Sequence, residues 1–325
     1  MGFGGPKNIK KNGGLGRKAP SDRNVAALII AKGYAVATTF ALGGTYTFNS
    51  LAEAEAIGLG PDTDANNAAT HTCLTYYHIS EYFRLNPDGR LWVLNLAAGT
   101  PTTIFDAAGL ADQLMNASSK AIRHLGVVLG GAPDAEVTVT NGADSTVWTT
   151  QVAAQLWAER LAEQHVYVDN VVIEGKSLVA TAPTYDLHQL ASPQVSIVVG
   201  NDLGYLAPYI TTHVGHGKTA AVGTALGSIG VRKLCESIGS VDIEQKPANK
   251  RAQSDYTLVD TLRGRWLTPG LSSGVKFDAL TPGIRTALEA FGYIYMGRYE
   301  GYPGVFLSDS PTCDALDSDY CTIEN

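Results

Sequence analysis

Short runs of aliphatic and β-branched residues alternate with helical segments along this chain, and that alternation constrains the fold more than any other feature. Each run is bounded by glycine or polar residues and predicts a buried strand, over 91–96, 125–129, 171–174 and 195–199. Between and around them, periodicity predicts helices over about 64–84, 104–116 and 146–164, the last with Val152, Leu156, Trp157 and Leu161 on one apolar stripe. The pattern therefore predicts an α/β fold, with a mixed, largely parallel sheet covered by helices on both faces.

Two local signals organise the amino-terminal part of the predicted core. Ser50 and Glu53 have the spacing of a capping box, and Gly58 is placed to end the short helix that they begin. The most apolar window, 25–43, is interrupted by Lys32 and Gly33, so it predicts two strands around a turn better than a membrane span.

The pattern changes after residue 200, where helices are predicted over 206–213 and 218–237. The second carries Gly223, Gly227 and Gly230 at helical spacing. Glycine destabilises a helix interior by about 1 kcal/mol per position, so three on one face indicate close approach of another backbone. We expect this face to be a packing surface.

A polar linker over 244–254 is expected to separate an α/β core, residues 25–245, from a smaller α+β unit, residues 255–325. This unit is predicted to contain an element over 256–266, a helix capped by Thr281 with Pro282 at its first position, and a hairpin over 293–308. We predict no helix or arm after the hairpin to cover its edge, which is typical of a chain that is interrupted there or that a neighbouring subunit completes.

Residues 1–24 have a different composition from the rest. They contain six glycines and six basic residues, and Asp22 is their single acid, so their net charge is +5. Because the whole chain carries −7, residues 25–325 carry −12. We expect a flexible basic arm, because such a segment buries little apolar surface. The alternative is a disordered solubilising terminus.

An acidic carboxyl-terminal stretch balances this arm. Opposite charges at two ends of one chain suit head-to-tail self-association. The predicted inter-subunit contacts join Lys7, Lys10, Lys11, Arg17 and Lys18 to Asp314, Asp317 and Asp319.

Composition narrows the class of protein. With 325 residues, 45% hydrophobic and 17% charged, the chain can bury one large core or two modest ones. The acidic body argues against nucleic acid as a partner, and no membrane-inserting or signal segment is expected. We therefore expect a protein made in a cytosol, with its cysteines Cys73, Cys235, Cys313 and Cys321 reduced.

Several runs invite an enzymatic interpretation, and each is incomplete. Lys218 and Thr219 end a phosphate-loop pattern whose first glycine is missing, because Thr212 stands there. Asn201 and Asp202 follow a predicted strand, where α/β folds place ligands, but lack dinucleotide-loop glycines. His213 and His216 have no carboxylate or cysteine at matching spacing nearby. His71 and His78 lie seven residues apart on one predicted helix face beside Cys73, where a core or surface histidine is the commoner case. We therefore predict no catalytic, cofactor or metal site.

A set of short motifs resembles contractile tail sheath proteins of bacteriophages and related injection machines. These are the glycine-rich start, NSLAEAEA at 49–56 with Gly58, AQLWAE at 154–159 before VVIEG at 171–175, AAVGTALG at 220–227, GYPGVFLSDSPT at 301–312 and the closing Ile-Glu-Asn. The resemblance rests on their order along the chain. Family members normally continue past that ending with a helix and an arm.

The resemblance implies a structural, non-enzymatic virion protein: a sheath that assembles helically around a tail tube and contracts to drive the tube through a bacterial envelope. Its implied partners are further copies of itself, the tail tube protein, and the baseplate and tail terminator proteins. Its implied location is the virion tail, after assembly in the host cytoplasm. Two alternatives stay open, an α/β enzyme with a site near Asn201 and Asp202, and a monomeric ligand-binding module.

Overall fold

The computed structural model describes residues 25–31, 36, 38–60, 73–97, 100–129, 138–178, 185–204, 219–231, 238, 267–300, 304–308 and 311–316. Their strands are β1 (Val25–Ile30), β2 (Thr45–Phe48), β3 (Arg90–Asn95), β4 (His124–Val128), β5 (Val139–Thr140), β6 (Ala143–Asp144), β7 (Asn170–Glu174), β8 (Val195–Val198), β9 (Gly200–Asp202), β10 (Pro269–Leu271), β11 (Met296–Gly297) and β12 (Phe306–Leu307). Their α-helices are α1 (Leu51–Ala56), α2 (Leu74–Leu85), α3 (Pro101–Phe105), α4 (Leu110–Ala117), α5 (Ser145–Glu163), α6 (Val222–Val231) and α7 (Pro282–Ala290).

A six-stranded sheet of order β2-β3-β1-β4-β7-β8 is the centre of the fold. β2 runs antiparallel to β3 and every other neighbouring pair is parallel, which confirms the predicted mixed, largely parallel sheet. Within 25–43, the first of the two predicted strands is β1, and the described residues of the second segment, 36 and 38–43, form no strand beyond a bridge between Val36 and Phe40. β1 has β3 on one side and β4 on the other, so neither of its edges is open to the segment that follows it.

Helices cover both faces of this sheet, as the α/β fold requires. Along β1, Ala27 and Ile29 pack on one side with residues of α3, α4 and α5. Ala26 and Leu28 pack on the other side with residues of α1, α2 and α6. Both faces of β1 are therefore buried, which explains why its sequence is continuously apolar rather than alternating.

The helices depart from the predicted bounds in two places. The predicted helix over 104–116 is two helices, α3 and α4, because Asp106 is extended and Gly109 forms the amino-terminal cap of the second. The described part of the predicted helix over 64–84 is α2. The caps at Ser50 and Thr281 are as predicted, since their hydroxyls accept the N–H groups of Glu53 and Ile284.

The apolar stripe predicted for α5 is wrong for half of its members. Trp157 and Leu161 are buried against the sheet, whereas Val152 is 53% exposed and Leu156 is 60% exposed. Residues 152 and 156 share one side of the helix, and residues 157 and 161 share a side about 140° away. The two pairs are separate stripes, and only the second belongs to the core.

The carboxyl-terminal residues lie against the outer edge of β8. Ile294 donates its N–H to Ile197 and accepts the N–H of Val199, so it continues the sheet by one position. Near the other end of β8, Ser192 and Cys313 form an antiparallel bridge. Farther out, β11 and β12 pair antiparallel within the predicted hairpin. The boundaries predicted at 24/25 and over 245–255 do not fall within the described residues.

Candidate functional site

A buried carboxylate lies at the carboxyl edge of the parallel strands, where α/β proteins place their ligands. Glu174, the last residue of β7, is fully buried. One of its oxygens accepts the N–H of Leu129 at 2.7 Å. The other accepts the N–H of Ala220 at 3.1 Å and the hydroxyl of Thr219. One side chain thus joins the ends of β4 and β7 to the residues that lead into α6.

Burial raises the pKa of Glu174 above its usual range, because a dry interior disfavours the charged form. The Thr219 hydroxyl, the Lys176 cation and the two backbone N–H donors oppose that rise. Lys176 forms an ion pair with Asp144 at 3.0 Å, and both side chains are almost fully buried. A carboxyl with a raised pKa at this edge meets one requirement of a general acid, which favours an enzymatic site at this position.

Asn201 and Asp202 lie beside this carboxylate, but in a strand rather than the predicted strand-to-helix loop. They belong to β9, which pairs antiparallel with β10. The side-chain amide of Asn201 donates to the carbonyl oxygen of Thr219 at 2.6 Å. One carboxylate oxygen of Asp202 accepts the N–H of Gly204 at 3.0 Å and that of Thr268 at 2.9 Å.

These groups form a connected set of hydrogen bonds to the chain's own backbone. Ser272 extends it, since its hydroxyl donates to the carbonyl of Gly175 at 2.6 Å and accepts the N–H of Leu178 at 3.2 Å. Each bonded oxygen satisfies a backbone N–H that burial would otherwise leave unpaired, at a cost of about 1–3 kcal/mol. In the described structure, this cluster holds together segments of the chain that are far apart in sequence.

The glycine face of α6 packs on α2. A Cβ atom at Gly227 would lie 2.8 Å from the carbonyl oxygen of Tyr82 and 3.1 Å from its Cα. A Cβ at Gly223 would meet the backbone of His78, and one at Gly230 would meet the side chain of Asn86. Real Cβ atoms do not approach a backbone so closely, so these positions let two helix backbones lie nearly in contact.

Buried polar contacts fix the register of the same two helices. The Nδ1 of His78 accepts the N–H of Gly223 at 3.3 Å. Glu81 accepts the hydroxyl of Thr224 at 3.2 Å and forms an ion pair with Arg84. Burial lowers the pKa of His78 to about 3, so this histidine is a neutral packing residue at pH 7.

The other residues singled out from the sequence are dispersed. Among the described residues, no three His, Cys, Asp or Glu side chains come together as metal ligands. Cys73 and Cys313 are buried, and burial raises the pKa of the Cys313 thiol. The predicted candidates that lie outside the described residues are His71, His213, His216, Lys218, Cys235 and Cys321.

Of the predicted inter-subunit contacts, the structure describes Asp314. Its carbonyl oxygen lies 2.9 Å from the Nδ1 of His188, which fixes this segment beside the turn after residue 185. The remaining predicted contacts lie outside the described residues: Lys7, Lys10, Lys11, Arg17, Lys18, Asp317 and Asp319.

A surface groove between α3 and α5 was not anticipated from the sequence. It has a volume of about 550 Å³, and Phe105, Trp148, Val152 and Leu156 contribute to its walls. Arg160 lies beside it and pairs with Asp112 at 3.0 Å. Separating the two stripes of α5 by their offset of about 140° would have indicated an exposed apolar side on this helix.

The fold and these contacts define an α/β protein with a mixed sheet covered on both faces. The chain belongs to the family described as DUF2586, N-terminal domain, which matches residues 3–311. No curated protein matches the chain. Within the stretches that the structure describes, no helix has the length and apolar character needed to cross a bilayer.

The glycine contact gives a prediction of stability. Replacing Gly227 by Ala should destabilise the protein by about 1–3 kcal/mol, because the added methyl meets the backbone of Tyr82, which cannot move aside as a side chain can. Gly227→Leu should cost at least as much. Urea unfolding measures both.

Gly283 in α7 provides the matched control, since a Cβ there meets nothing within 4 Å. Gly283→Ala should be neutral or stabilise by up to about 1 kcal/mol. Equal effects of alanine at positions 227 and 283 would contradict the close packing of α6 on α2.

Two buried histidines predict a loss of stability in acid. Burial lowers the pKa of His78 to about 3 and that of His124 to about 4. Because both folded values lie below the unfolded value of about 6.5, their contribution is complete above that pH and is lost as the pH falls toward the folded pKa values. When the pH is lowered from 7 to 5, the free energy of unfolding of His124→Gln should therefore fall by about 2 kcal/mol less than that of the wild type.

Chemical unfolding at the two pH values tests this, with the exposed His165 changed to Gln as control. The control should keep the wild-type pH dependence. A wild-type dependence in His124→Gln would show that His124 does not stay neutral in the fold. Glu174 has the opposite effect on the pH dependence of stability, because its raised folded pKa favours the native state at low pH. This effect is the same in every variant.

Proposed function

We propose that this chain is a structural subunit of a contractile tail sheath. In this function it assembles helically around a tail tube, and the assembly contracts to drive the tube through a bacterial envelope. Its partners are further copies of the chain, the tube protein, and the baseplate and terminator proteins at the two tail ends. It works in the virion tail and catalyses no reaction.

The observation that carries most weight is the position of the sheath-like motif over 301–312. Its described part includes β12, whose Phe306 and Leu307 are buried. The carbonyl of Pro311 accepts the Ser196 hydroxyl at 2.8 Å, next to the outer edge of β8. The described residues of the motif that most resembles sheath proteins, 304–308 and 311–312, are thus packed into this fold.

Strand edges offer places for subunits to join. Among the described residues, β12 pairs with β11 and no strand lies on its other side. β2 likewise forms one end of the six-stranded sheet, and Thr45 at its start is exposed. An edge of this kind can accept a strand from a neighbouring chain through backbone hydrogen bonds.

Opposite charges supply attraction between copies. Residues 1–24 carry a net charge of +5 on a chain whose total is −7. In the proposed assembly, Lys7, Lys10, Lys11, Arg17 and Lys18 steer this arm toward acidic surface such as Asp314, Asp317 and Asp319 on a neighbour. Contact between two different surfaces continues from copy to copy, which produces a helix unless it closes into a ring.

The interior suits a subunit that moves as one body. Close backbone packing of α2 on α6 and the bonds of Glu174 tie the helices on one face of the sheet to its edge. A densely packed body of this kind rotates as a unit while flexible connections absorb the movement.

The alternative is an α/β enzyme or ligand-binding module with its site near Asn201 and Asp202. The raised pKa of Glu174 favours it. A ligand there would have to replace hydrogen bonds that Glu174 and Asp202 already make to backbone N–H groups. That requirement makes it the second candidate.

Deleting residues 1–22 separates the two functions. The arm adds little to the described core, so we expect thermal stability to stay nearly unchanged while assembly is strongly reduced. Changing Lys7, Lys10, Lys11, Arg17 and Lys18 to Glu should act like the deletion. Raised salt should weaken wild-type association, because exposed charges are screened over about 10 Å at 0.1 M.

Sedimentation of the wild type, the deletion and the charge-reversed variant at several protein concentrations measures this effect. Changing the exposed Lys120 and Lys276 to Glu on the body serves as a charge control and should leave assembly less affected. If wild type and deletion both sediment as the same monomer at high concentration, the assembly function is wrong.

A further inference from the structure

The groove between α3 and α5 combines apolar walls with an acidic rim. Val152 and Leu156 are two of the few large apolar side chains that the described structure exposes, and they lie one turn apart. Phe105 and Trp148 contribute to the walls beside them. An apolar strip of this kind, bordered by polar residues, is typical of a surface that binds another chain.

The charge around the groove is negative. Four carboxylates line or flank it against the single guanidinium of Arg160, which gives a net formal charge of −3; they are Asp106, Asp112, Glu159 and Glu163. Glu159 and Glu163 are exposed on α5 beside Leu156 and Arg160. The fitting occupant is therefore basic as well as apolar.

Residues 1–24 have both properties. They carry the net charge of +5. Ile9 stands directly before Lys10 and Lys11, and Leu15 stands two residues before Arg17 and Lys18. In an extended chain, two residues six apart are on one side and about 20 Å from each other. From Trp148 to Arg160 the helix rises about 18 Å, which matches that separation.

We propose that this groove receives the amino-terminal segment, residues 1–24, of a neighbouring copy, with Ile9 and Leu15 near the two ends of the apolar strip that Val152 and Leu156 form. The basic residues then meet the acidic rim. This inference rests on the proposed function, in which copies of the chain are linked by their arms, and it adds the surface on which the arm binds.

The place where the arm leaves the body fits such a contact. The carbonyl of Val25 accepts the N–H of Arg123 at 2.9 Å, and the guanidinium of Arg123 donates to the carbonyl of Tyr167 at 2.7 Å. Residue 24 is therefore joined to the body close to the carboxyl end of α5. The 24 residues can span up to about 80 Å when extended, enough to cross to an adjacent subunit.

Photo-cross-linking of the full-length chain tests the contact. A benzoylphenylalanine at position 15 is placed in unlabelled protein, which is mixed with ¹⁵N-labelled wild type, and the cross-linked peptides are identified by mass spectrometry. We expect cross-links from position 15 to residues 148–160 of the labelled copy. In labelled protein carrying Val152→Ser and Leu156→Ser, their yield at sub-saturating concentration should fall by about tenfold.

Leu42→Ser is the matched control, since Leu42 is also an exposed leucine but lies away from the groove; it should leave the yield unchanged. Thermal melting verifies that the groove variant is folded. Cross-links confined to one copy would overturn the proposal, as would cross-links that map to residues 304–319 or elsewhere. Contacts between copies at another surface leave the proposed function standing, whereas monomeric sedimentation with no contact between copies overturns both.

Discussion

The bonds of one buried carboxylate hold the centre of this fold together. Glu174 lies where β4, β7 and the start of α6 meet. One of its oxygens accepts the N–H of Leu129, just after β4, and the other accepts the N–H of Ala220 and the hydroxyl of Thr219, just before α6. With the start of α6 fixed there, the glycine face of this helix lies against α2. The cover on one face of the sheet therefore depends on a polar contact at its edge.

Several polar groups around this contact are of the kind found in enzyme active sites, but they are also compatible with a structural subunit. A buried acid, a neighbouring Asn-Asp pair and a lysine within an ion pair all lie at the ligand-binding edge of an α/β sheet. Their described partners include backbone groups, the Thr219 hydroxyl and, for Lys176, the carboxylate of Asp144. These contacts connect β9, β10 and α6 to the parallel strands. Polar groups that close such an edge give a rigid body, which a subunit in a moving assembly needs.

The sequence predicts the parts of this fold that depend on local patterns. The buried strands β3, β4, β7 and β8, the long helix α5 and the caps at Ser50 and Thr281 follow from short-range composition and spacing. The pairing of β1 with β3 and β4 joins residues far apart in the chain, so the adjacent sequence predicts the strand β1 but not its partners. Strand β9 was missed for a similar reason, because its partner β10 lies more than sixty residues later.

The sequence also predicts some of the candidate surfaces and not others. Gly223, Gly227 and Gly230 could be selected because glycine in a helix is costly wherever the helix packs. The groove beside Val152 and Leu156 depends on the position of α3, which adjacent sequence does not give. In addition, Trp157 and Leu161 are apolar residues of the same helix that belong to the core, so the sequence pattern does not separate them from the exposed pair. Glu174 is an ordinary strand-terminal acid in the sequence, and its importance comes from segments that reach it from residues 129 and 219–220.

Electron microscopy of the purified full-length chain tests the central claim most directly. At low salt and rising protein concentration, a self-assembling sheath subunit should form rings or striated tubes with a regular repeat. Separate particles of single-subunit size at every concentration would contradict that claim.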